Sequence, residues 1–250
     1  MVDLFVGKVE EILNAVSQGP IATSPRNAIR RRIREIVYLL LPVKGITRQG
    51  ASVEAEGFAG CQSDTMCNLE EIGRALGIAE LGGLTACRVT ELGKAGDKAL
   101  LEIQPVQPAE ELTSKIQRLF SSEKASATVL PLRNPSVTVF VPVQTEDLSA
   151  SGFRIVSPVG FSAGAGITLD LDRILRHLFS ERESVRVACK VARLARLEGK
   201  FDMGLRFGDA PQDFVQEILN WSVGEENQYF SPAPEDRSGA GAGSNAAPPA

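Results

Sequence analysis

Histidine is nearly missing from this chain: His177 is the single one in 250 residues, with one tryptophan and two tyrosines. A Ser-His-Asp arrangement has nowhere to form except around His177, which sits in "RILRHLFSER" and reads as a surface or packing residue. Paired cysteines are missing too. The four (Cys61, Cys67, Cys87, Cys189) lack the close spacing of a zinc site, Cys61 and Cys67 being six apart, so free thiols and no metal are expected. There is no excess of positive charge; a formal net charge of −4 excludes a general binder of nucleic acid or anionic membrane, and leaves any anionic ligand to a local patch. The longest apolar run, "IVYLLLPV", is too short to cross a bilayer, and "MVDLFVGKVEEIL" lacks the basic region and cleavage site of a signal peptide, so a cytoplasmic protein is expected. No phosphate loop is present, since "SAGAGIT" has no lysine and leads into a strand. The close carboxylates Glu70/Glu71 and Asp170/Asp172 have no basic or metal-ligating companion and read as solvated surface.

What is present is apolar patterning: 43% hydrophobic residues, enough in this length for two ordinary domains. Leu4, Val9, Ile12, Leu13 and Val16 predict an amphipathic helix stopped at Gly19-Pro20. A second helix is expected from Ser24, with Ile29, Ile33, Ile36, Val37 and Leu40 as its stripe and Pro42 as its end. Residues 43–58 read as extended, Asn68 and Glu71 as a capping box opening a short helix, and "TACRVTELGKAGDKALLEIQPV" as two strands about a Gly-Asp turn. After Pro105 and Pro108 comes a connecting helix, "AEELTSKIQRLFSS". Then short strands dominate: "VTVFVPV", "GFRIV", "GITLDLD", "SVRVACKVARL" and "KFDMGLRF", followed by the helix "PQDFVQEILNW". The expected division is an N-terminal α+β domain over 1–108, a linking helix over 109–126, a barrel over 127–223 and a disordered tail over 224–250, rich in Ala, Pro, Gly and Ser.

Within the second half, Asp147, Ser149 and Gly152 stand in "DLSASG" between two strands. This matches the D/N-x-S-x-x-G signature of PilZ domains, and the succession "GFRIVSP", "GAGITLDLD", "VRVACKVARL", "FDMGLRF" and a last helix resembles that family over Ala127 to Trp221. The resemblance implies an α+β chain with a six-stranded antiparallel barrel and a C-terminal helix. It also implies cyclic di-GMP as a ligand, with Asp147 accepting from guanine N1 and N2, Ser149 offering a hydroxyl and Gly152 admitting the ligand to the backbone. Read without the family, Asp147 and Ser149 hold an Asx-type or Ser turn with Gly152 at positive φ.

The family's second motif, R-x-x-x-R, precedes its first barrel strand, where two guanidiniums fork onto guanine and phosphate oxygens. In this sequence one alignment places it at Arg118, with Ser122 four on and Lys124 nearby; another places Arg133 there, flanked by Leu132 and Ser136. Either way one fork is missing. Arg26, Arg30, Arg31, Arg32 and Arg34 form the densest basic run, and Arg26/Arg30 and Arg30/Arg34 both have the spacing, but they lie far upstream on the expected second helix; the run reads as a solvated face, with a partner-docking face or a ligand-wrapping role as alternatives. Arg186, Lys190, Arg193 and Arg196 read as an exposed sheet face able to receive a phosphate. Three functions stay open: a non-catalytic bacterial regulator binding cyclic di-GMP and a protein partner, in motility or surface attachment; a scaffold of the same fold that binds no nucleotide; and an enzyme centred on Cys61, Asp64 and Cys67. No cofactor, DNA partner or membrane span is expected.

Overall fold

The computed structural model describes residues 31–78, 81–122, 128–132, 134, 136–171, 185–208, 210, 212–218 and 220. Among these the protein is mostly β-sheet with three helices. The strands are β1 (Arg31–Arg32), β2 (Ile36–Ile46), β3 (Ala51–Glu56), β4 (Phe58–Cys61), β5 (Thr65–Asn68), β6 (Leu84–Ala95), β7 (Lys98–Pro105), β8 (Thr138–Ser149), β9 (Gly152–Ser157), β10 (Val159–Phe161), β11 (Gly166–Asp170), β12 (Arg186–Leu197) and β13 (Lys200–Phe207). The helices are α1 (Glu70–Leu76), α2 (Glu110–Ser122) and α3 (212–218).

Two strands organise the rest. β2 and β8 run antiparallel, Ile36 opposite Gln144 through Pro42 opposite Thr138. From that ladder one circuit leaves β2 through β3, passes β7, β6 and β5, and returns to β8 where Asn68 meets Phe140. The other leaves β2 through β11, passes β12, β13 and β9, and returns to β8 between Gln144 and Ser149. Pairing that returns to its origin satisfies the backbone groups an edge strand would expose. A small sheet of β10 and β4, with Gly160 opposite Gly60, ties the two circuits together. One continuous cluster of buried side chains fills both, from Val37 and Leu39 on β2 to Val187 and Met203 on β12 and β13. At one end Phe214 of α3 completes a file of edge-to-face rings with Phe207 and Phe153, centroids 5.7 and 5.0 Å apart.

The expected helix from Ser24 to Pro42 is, over its described part, β1 and β2 instead. Ile33, Val37, Leu39, Leu41 and Val43 are all buried, a period of two that coexists with the helical stripe. Leu40, on the other face, is buried as well, because the strand belongs to both circuits; a run apolar on both faces carries little periodicity to separate strand from helix. The expected division at 109–126 is crossed at the ladder, since β2 pairs with β8 and β11. The expected capping box does not form: the N-cap of α1 is Leu69, without a side-chain cap. Asn68 Oδ1 accepts from the Glu70 amide at 2.8 Å, but Glu71 turns away and accepts from the Thr138 amide at 2.7 Å, fastening the start of β8. The helix expected over the first eighteen residues, Arg26, Arg30, Lys124, Arg133, His177 and the tail from 224 lie outside the described residues.

Because the circuits share two strands, neither can unfold alone. Leu39→Ala, at a fully buried site on β2, is expected to cost about 2–5 kcal/mol. Urea unfolding followed by circular dichroism and by amide exchange in each circuit is expected to show one common transition; two resolved transitions would overturn the shared-ladder account.

Candidate functional site

The β8–β9 hairpin carries the signature residues. Its turn is Ala150-Ser151, and Ser149 faces Gly152 across it. The Ser149 hydroxyl, buried, contacts the carbonyl oxygen of Gly152 at 3.2 Å and the Ser151 hydroxyl at 3.1 Å, so its first task is to hold the turn. Gly152 has φ of 153°, and a Cβ there would fall on the carbonyl oxygen of Leu205 in β13. The neighbouring strand β13 thus makes a close approach that demands glycine at 152.

A register shift at Glu146 separates two levels of this hairpin, with Thr145 opposite Ile155 and Asp147 opposite Arg154. Across the other side of β8, β1 sets Arg31 opposite Leu148 and Arg32 opposite Asp147. Thr145, fully buried, fixes the chain between β1 and β2: its hydroxyl lies 3.1 Å from the Ile33 carbonyl oxygen and 2.9 Å from that of Glu35, and receives the Glu35 amide at 3.0 Å. The Ile33 amide donates to the Glu146 carbonyl at the bulge. Arg31 and Arg32 are thus paired with Leu148 and Asp147 in a way that sequence order conceals, because residues 47–137 intervene between β2 and β8.

Asp147, Ser149 and Gly152 line one cavity of about 280 Å³, together with Ser151, Phe153, Arg154, Ala192, Arg193, Gly204, Leu205 and Arg206. Arg154 gives a two-pronged ion pair to Asp202, Nε to Oδ1 and Nη2 to Oδ2 both at 3.0 Å, and Arg193 Nη2 stands 3.8 Å from the same carboxylate. The hydrogen bond and charge of Asp202, reinforced by Asp147 and Glu146, raise the Arg154 pKa above its ordinary value and keep it charged. Arg118 is elsewhere, exposed on α2 beside a shallow depression lined by Ser114, Gln117 and Ser121. Arg154, Asp202 and Gly204 went unflagged by sequence reasoning, and a lone Arg after the signature glycine carries no spacing rule that would have found them.

Cys61 and Cys67 have the opposite character to activated nucleophiles. Cys61 is half-buried, its Sγ directed to the Val89 carbonyl at 3.4 Å, and burial pushes its thiol pKa up. Cys67 is wholly buried; its hydrogen bond with Cys87 and its burial raise its pKa, while the same bond lowers that of Cys87. Among the described residues no group of three His, Cys, Asp or Glu could hold a metal ion, and no helix is long and apolar enough to cross a membrane.

The hairpin signature is matched by comparison with protein families: the PilZ domain model covers residues 95–224, so the chain belongs to that family. The matched stretch omits β2, which closes the second circuit. Among solved structures, that of the Bacillus subtilis inhibitor of motility, MotI/DgrA, is similar at 13% identity with a TM-score of 0.29, over 59% of this chain and 68% of that one. No curated protein matches the chain.

Two outcomes are expected from this geometry. Gly152→Ala destabilises by at least about 1–3 kcal/mol through its collision with Leu205, read as a lower urea midpoint; an unchanged midpoint would reject the strand-contact account. Cys61 reacts with a thiol probe at neutral pH more slowly than free cysteine, because fewer of its thiols are ionised; faster labelling would revive an enzyme at that cluster.

Proposed function

We propose that this chain is a non-catalytic regulator that binds cyclic di-GMP in the β8–β9 cavity and passes that signal to a protein partner. The observation that carries the reading is the β1–β8 register, which sets Arg32 opposite Asp147. Arg30 and Arg34 stand two places to either side of Arg32 in the sequence. They have the R-x-x-x-R spacing and immediately precede β2, the strand that closes the second circuit. We assign the family's arginine pair to Arg30 and Arg34 on that spacing and on their order before β2, which supports a nucleotide despite the absent partners of Arg118 and Arg133.

In this reading Asp147 accepts from the Watson–Crick edge of a guanine, and Arg30 and Arg34 supply forked contacts to guanine and phosphate oxygens. Arg118 has no part in it, and Ser149 and Gly152 serve by holding the turn that presents Asp147. A ligand touching both the arginine run and Asp147 favours the pose in which residues 31–34 lie against β8. Such differential contact is what lets a small ligand shift a conformational equilibrium toward a partner-binding state.

Isothermal titration tests this directly. The protein is expected to bind cyclic di-GMP, and Arg30→Ala, Arg34→Ala and Asp147→Ala are each expected to weaken it about tenfold or more, one charge-assisted contact apiece. No heat at high-micromolar dinucleotide would leave the interaction scaffold as the better account.

A further inference from the structure

We propose that Arg154 and Arg193, bridged by Asp202 across Gly204, form a preset phosphodiester clamp in the cavity wall, so that barrel strands as well as the leading arginine run hold the dinucleotide's phosphates. This rests on the nucleotide reading above and adds to it a second set of phosphate contacts, on β9, β12 and β13.

The clamp is built by register. Gly204 of β13 pairs with Arg154 of β9 on one side and Arg193 of β12 on the other. The outer two strands are therefore roughly 10 Å apart, and a side chain on the middle one would normally separate the two arginines. Gly204 has none; a Cβ there would come within 2.9 Å of Arg193 Cγ and 3.0 Å of its Nε. Asp202, two residues along and so on the same face, reaches into that gap with a side chain only 9% exposed. It grips Arg154 with both oxygens at 3.0 Å and leaves Arg193 more loosely held at 3.8 Å. A bulge between Val191 and Arg193, opposite this point, sets the aim of the Arg193 side chain.

Charge counting gives the ligand class. One buried carboxylate faces two guanidiniums, leaving one positive charge over. One step along, Lys190 and Arg206 are direct cross-strand neighbours of like sign, both exposed, with no acidic partner among the described residues. Like charges so placed destabilise a sheet unless an anion sits between them. Three arginines, Arg154, Arg193 and Arg206, and one carboxylate, Asp147, line the cavity, with Asp202 behind the first two and Lys190 across from the third, an excess of positive charge that suits an anion. Guanidinium forks match phosphate oxygens in geometry as well as in charge.

The test titrates cyclic di-GMP and cyclic di-AMP, which share phosphates and differ in base, into wild type and variants with confirmed melting transitions. Arg193→Ala is expected to weaken whichever dinucleotide binds by about tenfold, whereas Asp147→Ala affects the guanine ligand alone. Gly204→Ala keeps every charge but displaces Arg193, and is expected to reproduce the Arg193→Ala loss. Asp202→Asn separates positioning from simple neutralisation: it adds a net positive charge, so a purely electrostatic wall binds the dianion more tightly, while a clamp that needs Asp202 binds it less tightly. Cyclic di-GMP binding that is unchanged in Arg193→Ala and Gly204→Ala overturns the clamp and leaves the nucleotide reading standing. Binding of cyclic di-AMP alone, weakened by Arg193→Ala, keeps the clamp and removes the guanine reading. Binding of neither by wild type removes both. Should Asp202→Asn fail to fold, the Arg193 and Gly204 variants decide alone.

Discussion

The ladder between β2 and β8 is the constraint on which the molecule hangs. Every other strand of the main sheet except β1 lies on a path that leaves β2 and comes back to β8, and both circuits draw on the same buried faces of those two strands. A ladder shared in this way can be neither short nor polar. Leu39, Val141 and Val139 have no exposed surface at all, and two prolines, Pro42 and Pro142, are tolerated within it at the cost of a donor each. Where the ladder ends, β8 continues between β1 and β9, and that overhang carries the candidate site.

The cavity shows how an acidic protein can hold a local positive field. Its arginines come from β9, β12 and β13, and are brought to one face by strand register and two bulges. Their mutual repulsion is moderated chiefly by Asp202, a carboxylate that is itself nearly buried, with Asp147 and Glu146 adding to it at Arg154. Burying Asp202 is acceptable because Arg154 meets both of its oxygens, the condition under which a buried ion pair offsets its desolvation. Glycine does unusual service here: at 152 it lets a neighbouring backbone pass, and at 204 it lets a side chain lie across.

Much of this was legible in the residues. The alternation of Phe201, Met203, Leu205 and Phe207 marks β13, the Gly-Asp turn marks the β6–β7 hairpin, and "DLSASG" marks the family and the residues of the turn. β2 was hidden for a physical reason. Its apolar residues serve two circuits, so they fill both faces and match the helical spacing as well as the strand spacing. A helix there would keep Arg31 and Arg32 remote from the signature, whereas β1 pairs both with β8. Register across an insertion is not encoded locally; Thr145 and Glu35, bonded in the fold, stand 110 residues apart in the chain.

That separation has a bearing on how the protein is made. A ribosome adding about 5–20 residues each second leaves β2 without its partner for something like 5–20 s, while its run "IVYLLL" has emerged and β8 has not. An apolar strand with open hydrogen-bonding groups and no mate is the kind of segment that recruits a wrong neighbour. Chaperone capture of the nascent chain should thus concentrate on the interval between the emergence of residue 46 and that of residue 138, and the guanidinium-rich stretch directly before β2 is placed to keep neighbouring nascent chains apart by charge during that wait.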